Sequence, residues 1–299
     1  MATLRQRCQL TCAESMGYFV LVSSSMPRLN SLTIDVEDWY HVCGLAKEPV
    51  VRQSEWRVEQ NIDRLLSLLA RHGVKATFFV LGCVAESIPS LVPRISAEGH
   101  EIASHGFSHR LVYTLTEDEF REEIRRTGSI ISSQSGEPPV GFRAPQWSLS
   151  RRRTPWAFDI LAQEGYLYDS SCTPLPFIGE PGGDISPHKL GTLNGPLWEI
   201  PPLVTAAPLI NLPTGGGWGL RIFPMWLIER SVKLANIKGD PAVFYLHPRE
   251  MEADGPRLGL SAIASFAAYG PRSDVTSRVE QLLERYQFTT LRNLVKTWQ

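Results

Sequence analysis

Two short stretches of the chain hold side chains of the types that hydrolytic chemistry needs. One is His105-Gly106-Phe107-Ser108-His109; the other, some seventy residues earlier, is Asp35-Val36-Glu37-Asp38. Imidazoles four positions apart lie on one side of a helical turn, so both can grip one divalent cation while a carboxylate gives a third ligand and water keeps the fourth place. The spacing alone fits a metal-free turn equally well. The acids shift the balance, because carboxylates at the end of an apolar strand are costly to bury unless a cation or a hydrogen-bond network compensates them.

The elements that deliver these groups can be read from periodicity. Leu32-Thr33-Ile34-Asp35-Val36 is β-branched and apolar until the acids begin, and predicts a buried strand. A helix with Ile62, Leu65, Leu66 and Leu69 on one face follows, with Ser54 as its expected cap and Gly73 as its stop. Residues 75–81 predict a second strand, and His100 to Ser104 a third that ends in His105. Thr116 and Glu119 make a capping box for a helix to about Ser133. Short strands then end in Arg143 and Asp169, and a late one, Pro241 to Leu246, ends in His247; helices are expected at 156–163, 223–236 and 275–286. Residues 173–196 read as a Pro- and Gly-rich binding loop, and Gly215 to Gly219 as a flexible turn carrying Trp218. Strand alternating with helix predicts a parallel α/β sheet or barrel. Asp35, His105, Arg143, Asp169 and His247 all fall at strand C-termini, the rim where barrel enzymes assemble their sites.

Composition narrows the rest. With 299 residues, 43% hydrophobic and 20% charged, and a net charge of -1, the chain reads as globular, with no field to draw nucleic acid or an anionic membrane. No segment approaches the roughly 20 apolar residues that span a bilayer. Five cysteines (Cys8, Cys12, Cys43, Cys83, Cys172) are odd in number and contain no C-x-x-C pair, which fits a reducing compartment and a cytoplasmic location. Residues 1–30 read as a poorly ordered extension, with Met26 as an alternative start, and 31–299 as a single catalytic domain.

From Leu32 to His247 the chain resembles the polysaccharide deacetylase family, carbohydrate esterase family four with the NodB-homology domain. Five motifs carry the resemblance. The family's T-F-D-D corresponds to Thr33 through Asp38, its H-[ST]-x-x-H to His105 through His109, and its R-x-P-x to Arg143-Ala144-Pro145-Gln146. Its fourth motif corresponds to the region of Asp169-Ser170-Ser171 and its L-x-H to Tyr245-Leu246-His247. The continuation Pro248-Arg249-Glu250 resembles the subgroup found with exopolysaccharide biosynthesis, which has a C-terminal extension.

The resemblance implies a distorted (β/α) barrel of about seven parallel strands that removes acetyl groups from N-acetylated sugars. It implies Asp35 as general base, His105 and His109 as metal ligands and His247 as general acid, with Asp169 also in the catalytic set. Arg143 would pair with Asp35, and the Gln146 backbone N–H would help hold the oxyanion; Trp39, Trp147 and Trp218 offer either faces to a sugar ring or core packing. The implied cofactor is Zn2+, or another divalent transition metal such as Co2+, and the implied partner an N-acetylated glycan or sugar precursor. Here the chain departs from the motif: Val36 fills the place of the metal carboxylate. Residues two apart share a side of an extended strand, so Glu37 can reach what Asp35 reaches, and Asp38 competes if the strand ends early. Two other functions share these residues: hydrolysis of another C–N bond, such as a cyclic amide or imide, and carbohydrate binding without catalysis. His72 falls in the last turn of a helix, where a cation suits the dipole; His100 and His188 lack ligand spacing, and no histidine is placed by sequence to activate Cys172.

Overall fold

The fold is built around a curled, mostly parallel sheet. The computed structural model describes residues 28–42, 49–176, 178–207, 210–270 and 275–299. Its strands are β1 (Leu29–Val36), β2 (Thr77–Val80), β3 (Glu101–Ser104), β4 (Gly141–Phe142), β5 (Tyr168–Asp169), β6 (His188–Thr192), β7 (Gly195–Glu199), β8 (Val243–Leu246) and β9 (Gln287–Phe288). The order across the sheet is β6-β7-β5-β4-β3-β2-β1-β8, with β9 paired to the start of β1. All of these pairings are parallel except the β6–β7 hairpin. This is the distorted (β/α) barrel expected from the sequence, with β1 to β5, β7 and β8 as its parallel staves.

The gap between the two ends of the sheet is bridged by irregular chain. Leu203 N–H donates to Val243 O (2.8 Å) and Tyr245 N–H donates to Gly215 O (2.9 Å). The glycine run is therefore a seam and not a free turn. A Cβ at Gly216 would collide with the Tyr245 carbonyl, so only glycine lets the chain lie this close to β8. The run then opens the helix Gly217–Ile222.

Alternation along β1 sorts its side chains. Leu32, Ile34 and Val36 enter the large apolar cluster between sheet and helices, packing with Ile62, Leu65 and Leu69 of the helix Val58–Arg71. Thr33, Asp35 and Glu37 are presented to the other side, where the site lies. At the opposite end of the barrel the C-terminal helix Leu291–Trp298 forms a plug: Leu291, Leu294 and Val295 pack with Phe79 and Tyr168. Leu291 N–H donates to Thr77 Oγ1 and Arg292 N–H to Glu101 Oε2, both 2.9 Å.

Several expectations are corrected. The stretch 173–196 contains β6 and the start of β7, so it is partly sheet. The helices Ala262–Tyr269 and Leu291–Trp298 were not expected, and the helix Thr276–Arg285 does not end the chain's structure. Ser54 lies in a 3-10 turn ahead of its helix, which is capped instead by Asp38 from β1's end. The capping box at Thr116 is present: Glu119 N–H donates to Thr116 Oγ1 at 3.2 Å, and Thr116 N–H to Glu119 Oε2 at 2.8 Å. Among the described residues no helix is long and apolar enough to cross a membrane. Among the described residues Cys83 and Cys172 form no disulfide, and Cys8, Cys12 and Cys43 lie outside the described residues.

Candidate active site

The C-terminal ends of β1, β3, β4 and β8 meet at one rim, over a cavity of about 300 Å³. Asp35, Glu37, His109, Gln146, Trp147 and His247 line it, with Tyr245, Arg249 and Glu250. Apolar walls come from Val42, Leu175, Ile178 and Leu260, and from Ala264 and Ala268 of the helix Ala262–Tyr269.

At the floor, Glu37 Oε1 lies 3.1 Å from His105 Nε2 and 2.8 Å from His109 Nε2. The three ligand atoms lie within 4.8 Å of one another. His105 Nδ1 donates to the Arg143 carbonyl at 2.7 Å, because a carbonyl only accepts; the lone pair of a neutral ring then sits on Nε2, facing a carboxylate oxygen. Lone pairs aimed at one another need a cation or a proton between them, and two imidazoles with one carboxylate form the donor set of a hydrolytic zinc site. With protons on the rings in place of a cation, burial still raises the Glu37 carboxyl, but the charges of His109 and His247, with hydrogen bonds from His105 and His109, hold it well below the usual range.

Asp35 is fixed from one side and open on the other. Arg143 Nη1 donates to Asp35 Oδ1 (2.8 Å), while Oδ2 lies 3.9 Å from His247 Nε2. The Arg143 guanidinium is fully buried and satisfied: Nη1 also donates to Thr33 Oγ1 (2.6 Å), Nε to Ser170 O (3.0 Å) and Nη2 to Ser170 Oγ (2.8 Å). It is sandwiched by aromatic faces, 4.2 Å from the Phe79 centroid and 5.0 Å from that of Trp147. Trp147 therefore covers Arg143 and meets Tyr245 edge-on. His109, Gln146 and Trp147 all have positive φ (60°, 50° and 53°), so backbone strain is concentrated at this rim.

Two residues expected at the site stand elsewhere. Asp38 does not join the trio of possible ligands: its carboxylate accepts from the backbone N–H of Trp39 (2.7 Å), Arg57 (3.0 Å) and Val58 (3.3 Å) at the start of the helix Val58–Arg71. The unpaired N–H groups of a helix start are the stronger claim on a nearby acid. Asp169 is buried behind Arg143 and off the cavity. It accepts from Ser171 Oγ (2.6 Å), which accepts from Ala144 N–H (2.8 Å), so it braces the strand end that carries Arg143. Its cross-strand neighbour is Glu199; burial raises both carboxyl groups, Glu199 furthest because Asp169's charge adds to the effect. The Trp218 side chain lies outside the described residues.

Four residues at the cavity were given no role by the sequence. His41 is held neutral by burial and by His109, its pKa lowered to about 3, and its Nδ1 accepts from Asp38 N–H (2.9 Å). Tyr245 alternates with His247 along the late strand and could have been found by period two. Arg249 and Glu250 immediately follow His247, where adjacency to a site residue is the signal.

Residues 51–163 match the family model described as polysaccharide deacetylase, and residues 170–296 a domain of unknown function, DUF3473. A peptidoglycan-N-acetylglucosamine deacetylase of Bacillus cereus is 39% identical over 94 residues, 31% of this chain and 34% of that protein. A peptidoglycan deacetylase of Helicobacter pylori is 29% identical over 113 residues, 38% of this chain and 37% of that protein. These matches span about a third of each relative's length. Among solved structures, a putative polysaccharide deacetylase from Mycobacterium smegmatis superposes with TM-score 0.61 at 20% identity, covering 97% of this chain and 94% of that one. The PuuE allantoinase superposes with TM-score 0.63 at 16% identity, covering 96% and 98%. The deacetylase match contains His105, His109 and Arg143 but neither Asp35, Glu37 nor His247, which the sheet brings in because β1 lies between β2 and β8. The resemblance to polysaccharide deacetylases is thus shown over residues 51–163, and the DUF3473 match continues it from residue 170 to residue 296.

Proposed function

We propose that this chain is a metal-dependent hydrolase that removes N-acetyl groups from an N-acetylated sugar, in a polysaccharide or a glycan precursor. The observation that carries the reading is that Glu37 Oε1 and the Nε2 atoms of His105 and His109 converge within 4.8 Å of one another at the cavity that Asp35, Glu37, His109 and His247 line. The relatives named as peptidoglycan deacetylases support an acetamido sugar as the substrate class.

Glu37, His105 and His109 would hold a divalent transition metal such as zinc or cobalt, which, when bound, acidifies water and polarises an acyl oxygen. Asp35 takes the proton that the attacking water gives up. Arg143 occupies Oδ1 and so leaves Oδ2 facing the cavity side for that transfer. His247 delivers a proton from Nε2 to the departing amine, which turns a poor leaving group into a neutral one. The Gln146 backbone, at the cavity wall, is positioned beside the developing oxyanion, and Trp147 bounds the sugar's binding face.

The test is acetate release from N-acetylated chitooligosaccharides by metal-loaded protein, with cyclic amides and imides as the rival substrates. Acetate release that is abolished by a chelator and restored by zinc or cobalt is the expected result. Ring opening of a cyclic amide without acetate release would overturn the assignment.

A further inference from the structure

Directly after His247 the chain makes a 3-10 turn, Pro248–Met251, and its two charged residues fold back on the site from opposite sides. Arg249 Nη1 donates to Glu37 Oε2 at 2.8 Å, and the Glu37 side chain is only 4% exposed. Glu250, 3% exposed at its side chain, accepts from the His247 backbone N–H through Oε2 (3.3 Å). Its Oε1 pairs with Arg221 (3.2 Å) and faces the buried Nδ1 of His247 at 3.6 Å.

We propose that His247-Pro248-Arg249-Glu250 is a two-armed positioning device, in which Arg249 sets the orientation of the ligand carboxylate and Glu250 that of the proton-donating imidazole. The proposal rests on the deacetylase reading of the same site. Its physical need comes from the chain's own departure at β1: Val36 is turned into the core, and the carboxylate that reaches the histidines is a glutamate two positions beyond Asp35. A glutamate has one more rotatable bond than an aspartate, hence more entropy to lose and more wrong rotamers to avoid. With Oε2 tied to Arg249, only Oε1 faces His105 and His109. A carboxylate held by a hydrogen bond on its outer oxygen is how ligating acids are normally aimed, and losing such a partner costs 10–100-fold in metal affinity. On the other arm, the Glu250 carboxylate fixes both ends of His247, at its backbone N–H and beside Nδ1, so that Nε2 points at Asp35 Oδ2. Arg221 in turn holds Glu250 in place.

The two arms separate in experiment because one is read by metal affinity and the other by turnover. In Arg249→Met, zinc or cobalt affinity measured by competition with a chelating dye is expected to fall 10–100-fold, with altered visible bands in the cobalt-loaded protein. In Glu250→Gln, metal affinity is expected to stay within about threefold of wild type while kcat falls at least about tenfold at unchanged KM, and Glu250→Asp recovers part of that loss. Circular dichroism and a melting curve confirm that each variant is folded. If Arg249→Met is unfolded, Arg249→Lys replaces it: a point charge in place of the planar fork should still weaken binding. The inference is overturned if folded Arg249 variants bind metal as tightly as wild type, or if Glu250→Gln loses metal and turnover in parallel. Wild-type protein that binds no divalent ion and releases no acetate would overturn the functional reading instead, so the two failures are distinguishable.

Discussion

Arg143 and Asp35 meet at 2.8 Å with neither side chain more than 4% exposed, and this pair ties the ends of β1 and β4 together at the rim of the cavity. It has two separable roles. In Asp35→Asn the guanidinium keeps a hydrogen-bond acceptor, so the fold should survive, while the proton acceptor is gone and kcat should fall about 10²–10⁴-fold. In Arg143→Met a carboxylate is left buried without its cation, and stability should drop by about 3–5 kcal/mol. Urea unfolding and acetate release measured on both variants check the split; equal stability losses in the two would refute it.

The choice between Glu37 and Asp38 as third ligand gives a second prediction. Asp38 is spent on the backbone N–H groups of Arg57 and Val58 at a helix start and of its neighbour Trp39, so Asp38→Ala should keep its metal and lose about 1–2 kcal/mol of stability. Glu37→Ala, like His109→Ala, should lose the ion. Metal content after dialysis, measured by atomic emission, decides it; loss of metal from Asp38→Ala alone would reverse the assignment.

Much of this site was legible because β-strand ends announce themselves. Asp35, His105, Arg143 and His247 each terminate an apolar, β-branched or aromatic run, and strand C-termini in a parallel sheet share one rim. Asp169 satisfies the same rule and still misses the cavity, because neighbouring strand residues point to opposite sides. Ser170 takes the side that meets Arg143; Asp169 takes the other, against Glu199. The rule gives the rim but not the face. Asp38 was ambiguous for a different reason: the helix N–H groups that claim it start nineteen residues later, a distance no local pattern spans. The β6–β7 hairpin, by contrast, carried its own signal in Asn194-Gly195, a dipeptide suited to a tight turn, hidden by the surrounding prolines and glycines.

The Asp169–Glu199 pair predicts a pH dependence of stability. Burial, reinforced by Asp169's charge, raises the Glu199 carboxyl well above its usual value. The folded protein therefore keeps a proton that the unfolded chain has already lost, so stability falls as pH rises from the unfolded carboxyl's pKa towards the folded one. Glu199→Gln removes that loss while keeping an oxygen for the Cys172 N–H, now 3.0 Å from Glu199 Oε1. Melting temperatures should agree near pH 4 and differ at pH 8, with the variant higher by a few °C. A constant difference at both pH values would count against a buried shared proton.

The last prediction concerns the wall that the DUF3473 region adds to the cleft. Ala264 and Ala268, one helical turn apart, line the cavity together with Leu175, Ile178 and Leu260. Small side chains here leave room that a larger one would fill, in a cavity of about 300 Å³. Because no residue of the helix Ala262–Tyr269 belongs to the trio Glu37, His105 and His109, Ala264→Trp should leave metal affinity unchanged. Substrate entry should suffer instead, with KM raised at least about tenfold and more for longer oligosaccharides than for short ones, since a longer chain must extend past this wall. If KM is unchanged for every chain length, the glycan does not pass this helix on its way into the cavity.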